Sequence, residues 1–170
     1  MTNRHLEKSI PADSNHPQAT STKLWITKSS HSKNETLGGN RFMENFDYTV
    51  ETTKSVDETV AAIEVKAAEK GFRVLHVHDV QATLAAKGFE SEPMKIVEVC
   101  NAKFASQVLA KDKKISLMLP CPISVFGEAG KTYISALKPR VLSNYYPDIG
   151  IDEIAVEVEK VIISLVDETR

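Results

Sequence analysis

The stretch Phe46-Asp47-Tyr48-Thr49-Val50-Glu51, followed at once by Ser55-Val56-Asp57-Glu58, holds the change of period that decides the fold. Phe46, Tyr48 and Val50 alternate with Asp47, Thr49 and Glu51, the two-residue period of a half-buried strand. Ser55 and Glu58 form a capping box, in which hydroxyl and carboxylate satisfy the free amides of a helix start. Val56, Val60, Ile63 and Ala67 then recur at helical spacing, and Gly71 supplies the stop.

Working outward, residues 72–79 read as a second strand and 80–87 as a short helix ending at Gly88. Residues 94–100 read as a third strand. Asn101 is a suitable N-cap for a helix over 102–111, with Phe104, Val108 and Leu109 inward. Strands near 121–127 and 131–137 flank Gly127-Glu128-Ala129-Gly130, a hairpin turn. A last helix over 151–167 aligns Ile151, Ile154, Val158, Val161, Ile162 and Leu165. The order β-α-β-α-β-α-β-β-α predicts an α+β fold: a two-layer sandwich with helices on one face of a mostly antiparallel sheet.

Toward the N-terminus the pattern fails. Residues 1–42 carry Arg4, Lys8, Lys23, Lys28, Lys33 and Arg41 against Glu7, Asp13 and Glu35, a net +3. The other 128 residues carry 15 basic and 20 acidic groups, giving −5 and a whole-chain charge of −2. Without an apolar period the first segment cannot offset its ordering entropy, so it is expected to be a disordered tail. An alternative is that translation starts at Met43, making 1–42 an extension absent in vivo, which the intact mass of native protein would decide. A single domain is expected over 43–170.

With 170 residues, 42% apolar and 26% charged, the chain is an ordinary globular protein. Its near-neutral charge argues against nonspecific nucleic-acid binding. No apolar run approaches the ~20 residues that span a bilayer, and no secretory signal opens the chain. Two cysteines, Cys100 and Cys121, form no disulfide framework, so a cytoplasmic location is expected. Phosphate-binding loops, G-x-G-x-x-G, H-E-x-x-H, C-x-x-C and G-x-S-x-G are absent from the sequence. Lys111, Lys113 and Lys114 read as a solvated helix end.

Candidate chemistry starts with the thiols. Cys100 falls just before a helix start, where free amides and the helix dipole should lower its pKa. Cys121 lies between Pro120 and Pro122, and should react more slowly than Cys100 because it is more buried. Both could equally be small buried hydrophobes. A second constellation is His76, His78, Glu98 and Cys100. If Leu75 and Val77 face the helices, His76 and His78 point to the other sheet face, as do Glu98 and Cys100. Two imidazoles, a carboxylate and a thiolate there would suit zinc or another borderline metal. The alternative is an open or dimer-covered sheet face.

Gly71-Phe72, Asp79-Val80-Gln81-Ala82-Thr83-Leu84, Cys100-Asn101 opening a helix and Leu119-Pro120-Cys121, in this order, resemble the domain-of-unknown-function 302 family over about residues 46–140. The resemblance implies a small α+β protein that forms homodimers and has no established activity. It maps that family's motif positions onto Gly71, Phe72, Asp79, Cys100 and Cys121, and not onto the histidines. The family's usual proline after Cys-Asn is Ala102 here, which suits a first helical position equally.

The expected function is a homodimeric domain that binds a small molecule or metal near Cys100 and Cys121, with Asn101 and Asp79 as further candidates. A thiol-based redox or sulfur-handling enzyme is the alternative, and a structural or interaction module with buried thiols is a third. The sequence leaves the cofactor unknown, and neither a nucleic-acid nor a membrane partner is expected. The dimer is expected because the sheet face without helices, carrying His76 and His78 with Phe46, Tyr48 and Val50 or their alternates, needs cover.

Overall fold

The computed structural model describes residues 46–170; the segment expected to be a tail lies outside the described residues. Five strands form one sheet in the order β1-β5-β4-β3-β2, with every neighbouring pair antiparallel. The strands are β1 (Asp47–Thr52), β2 (Arg73–Asp79), β3 (Met94–Cys100), β4 (Cys121–Glu128) and β5 (Lys131–Leu137). The helices are α1 (Val56–Glu69), α2 (Val80–Ala85), α3 (Ala102–Lys111) and α4 (Asp152–Thr169). Two 3₁₀ segments, Lys113–Met118 and Pro139–Asn144, fall where the sequence pattern assigns no element. Helix α2 also stops two residues short of the expected 87.

Local signals behave as their chemistry demands. Ser55 Oγ accepts from the Glu58 amide, and the Glu58 carboxylate accepts from the Ser55 amide at 2.8 Å. At the other end of α1, Gly71 adopts φ +74°, and the Phe72 amide reaches back to the Ala67 carbonyl at 2.8 Å. That closure needs a left-handed residue, which glycine supplies without a Cβ penalty.

Helices α1 and α4 pack on one sheet face. Val56, Val60, Ile63 and Ala67 of α1 meet Val158, Ile162, Leu165 and Val166 of α4 over Val97, Val99, Ile123, Val125, Ile134 and Ala136 of the sheet. Tyr48 and Val50 join this core, and Tyr48 donates its hydroxyl hydrogen to Asp167 at 2.8 Å. The alternates Asp47, Thr49 and Glu51 are therefore the β1 residues on the open face. A second, smaller core joins Ile115, Leu142 and Ile151 with Val108, Met118, Tyr146 and Ile149. It is built from the two 3₁₀ segments and the entry to α4, and α3 lies against it.

One expected orientation is wrong. Leu75 does not face the helices; it is 57% exposed. A β-bulge between Val74 and His76 inserts it as an extra residue, so Val74 and Val77 take the inward places. The histidines still reach the open face, because His76 pairs with Glu98 and Val77 with Val97.

Candidate functional site

At one end of the sheet, between the two cores and beneath α3, lies an apolar cavity of about 60 Å³. Phe72, Phe104, Ile154 and Val158 wall it from the main core, and Ile115, Met118, Leu142 and Ile151 from the smaller one. Cys100 and Cys121 both line it. By the measure in which a water occupies about 10–15 Å³, the void would hold several waters, yet its walls offer them almost no partners.

The strand register brings the thiols to this place. Val99 pairs with Cys121, so Cys100 is one residue along from that pair. Strand spacings then put the two Cα atoms about 6 Å apart. Cys121 shares the helix-facing side of β4 with Ile123 and Val125, while Cys100 ends β3 where the chain turns into α3. Both thiols are only partly exposed.

The expected lowering of the Cys100 pKa is corrected. Burial pushes this thiol up. The helix-start amides that would favour a thiolate are already taken, since Asn101 Oδ1 accepts from Lys103 N at 3.0 Å and Phe104 N at 3.2 Å. Cys121 is pushed further, to about 11, by burial first and by the neighbouring Cys100 second. Little thiolate exists on either at neutral pH, so neither resembles an activated nucleophile.

Asn101 is spent on structure. Besides capping α3, it donates from Nδ2 to the Gly71 carbonyl at 2.9 Å, and Phe72 and Phe104 meet with ring centroids 6.3 Å apart. Gly71-Phe72 and Cys100-Asn101, far apart in sequence, thus form one junction beside the cavity. Asp79 is not brought there. It lies at the far end of β2, opposite Lys95, and caps α2 by accepting from Ala82 N at 2.8 Å. Lys95 bridges Asp57 at 2.5 Å and Asp79 at 3.7 Å, in an open polar groove that Gln81, Glu92 and Lys131 also line. The hydrogen bond to the Asp57 carboxylate, helped by Asp79, holds the Lys95 ammonium above its ordinary pKa.

On the open sheet face His76 and His78 meet edge to face with centroids 4.4 Å apart, and His78 Nε2 lies 2.9 Å from Glu98 Oε1. The fourth expected ligand, Cys100, belongs to the cavity instead. Among the described residues, no three His, Cys, Asp or Glu side chains converge into a group able to hold a metal ion. The lining residue that sequence reasoning missed is Met118. Its signal was a third sulfur three positions before Cys121, in a segment without helix or strand period.

These features define a small α+β domain with a cavity between two cores, and the chain has relatives of the same build. The profile of the domain of unknown function DUF302 matches residues 48–169, and the chain belongs to this family. It is similar to a solved structure, the uncharacterized conserved protein DUF302 from Bacillus stearothermophilus, at 35% identity and a TM-score of 0.71. That match covers 75% of this chain and 100% of the other. No curated protein matches. Among the described residues no helix is long and apolar enough to cross a membrane.

Proposed function

We propose that the domain is a binding protein, without turnover of its own, whose ligand is held in the cavity beneath α3 beside Cys100 and Cys121. The observation that carries this reading is the cavity itself. Close-packed interiors leave few voids larger than a water molecule, and those cost stability. A void walled by two separate cores, and flanked by both cysteines of the chain, fits a site better than a packing fault. The raised thiols argue against a thiol-based catalyst, and an unfilled space argues against cysteines that are merely core.

The wall offers a ligand no free nitrogen or oxygen donor, because Asn101, its one polar side chain besides the thiols, already has its partners. The protein acts as a homodimer in a reducing cytoplasm, with a second copy covering the open sheet face. That face carries Met94, Ile96 and the stacked pair Phe126–Tyr133, centroids 5.6 Å apart, beside His76 and His78. Such an apolar surface, ringed by polar groups, is rarely left bare on a monomer.

Xenon tests the cavity. Under xenon pressure the amide signals of Phe104 and Cys121 should shift, and Ala155→Leu, at a buried wall position, should remove the effect. Unchanged signals in the native protein would sink the reading. Light scattering tests the assembly, where a mass of 18.8 kDa at micromolar concentration would mean a monomer and refute it.

A further inference from the structure

We propose that the cavity takes monovalent copper, held by the Cys100 and Cys121 sulfurs as thiolates and by the Met118 thioether, an inference that rests on the cavity being the binding site. The lining side chains contain four with heteroatoms, and three of these are sulfur. The fourth, Asn101, has both ends of its amide engaged by Lys103, Phe104 and Gly71. No imidazole, carboxylate or ammonium reaches the wall.

A site offering only soft sulfur selects by softness. Thiolate and thioether donors favour Cu(I), whereas magnesium, calcium and manganese prefer oxygen. Zinc takes four donors, usually thiolate, imidazole or carboxylate, and a thioether is a poor substitute. Both cysteines border the cavity, Cys100 where β3 turns into α3 and Cys121 at the start of β4, and Met118 closes it from the smaller core.

The binding step involves no electron transfer. Each thiol releases one proton to solvent and forms a copper–sulfur bond, Met118 adds a lone pair, and the copper stays monovalent. Two thiolates and one Cu⁺ leave the site with a single negative charge. Metal binding at deprotonating ligands releases protons in this way as a rule.

The test is anaerobic competition for Cu(I) supplied as its bicinchoninate complex, using the full chain. One Cu(I) per chain should leave the coloured complex, with up to two protons released. Met118→Leu should weaken uptake roughly tenfold, and Cys100→Ser or Cys121→Ser by about a hundredfold or more, losses of the size seen when metal-site partners are removed. Should Cys121→Ser fail to fold by circular dichroism, Cys100→Ser carries the comparison. His76→Ala with His78→Ala should change nothing. No uptake, uptake insensitive to the sulfur variants, or equal uptake of Zn(II) each overturns the proposal. Xenon separates the two levels: shifts without copper uptake refute copper and leave the cavity reading standing, whereas failure of both refutes both.

Discussion

Helices α1 and α3 start alike and end up in different surroundings. Each follows a strand or short loop, each is capped by a side chain that binds its first amides, and each carries an apolar stripe. Yet α1 buries Val56, Thr59, Val60, Ile63 and Ala67, and α3 buries no residue completely. Phe104, Ala105 and Val108 of α3 border the cavity instead of a filled core. The contrast teaches that amphipathicity states which side of a helix seeks cover and leaves open what supplies it. Under α1 the cover is sheet and α4; under α3 it is partly empty space.

The largest test of that contrast is truncation. Ile63→Ala, in the dense core, should cost about 3–4 kcal/mol in chemical denaturation, whereas Val108→Ala should cost only about 1 kcal/mol, because its site is already loosely filled. Equal costs would mean that α3 is packed as tightly as α1, and the cavity would lose its meaning.

Next comes the pH dependence of the cavity end. A thiol raised on folding is stabilising while protonated, so its contribution is complete below its unfolded value of 9.0 and is lost as pH climbs toward about 11. Between those limits the wild type should lose up to about 2–3 kcal/mol more than Cys121→Val does. Urea midpoints measured from pH 8 to 11 on both proteins give the difference, and parallel curves would show that Cys121 is not buried as described.

Removing the clamp should have a smaller effect. Asn101→Ala strips three hydrogen bonds and should cost about 1–2 kcal/mol, with faster hydrogen exchange confined to α3. The matching change in α1, Ser55→Ala, should cost about 1 kcal/mol and leave exchange in α1 nearly unaltered, since packing holds that helix in place. Global loosening by Asn101→Ala would show that α3 belongs to the main cooperative unit rather than lying over a void.

What was legible beforehand follows the same division. Alternation at Phe46–Glu51, the Ser55–Glu58 box, the Gly71 stop and the Asn101 cap are local features, and each appears at its expected position. The hairpin between β4 and β5 was legible too, although the turn proper narrows to Ala129 and Gly130, both at positive φ. The 3₁₀ segments were not, because their apolar residues follow neither a two-residue nor a 3.6-residue period. Leu75 was misplaced for a related reason: a bulge resets the alternation, and nothing in Val74-Leu75-His76 announces it.

The site divides similarly. Cys100 and Cys121 could be singled out by type and neighbours, and their family resemblance named the same two positions. Their meeting at one cavity depended on β3 pairing with β4, a contact between segments about twenty residues apart. Asp79 and Asn101 had the right chemistry for a site, yet capping bonds occupy both. The sequence by itself determined the elements, the α+β class and the residues able to do chemistry, because periods and caps act within a few positions. Only the tertiary structure decided that two cores leave a void between them, that three sulfurs border it, and that burial holds its thiols protonated. Those properties depend on which distant side chains share a space, and no local pattern encodes that.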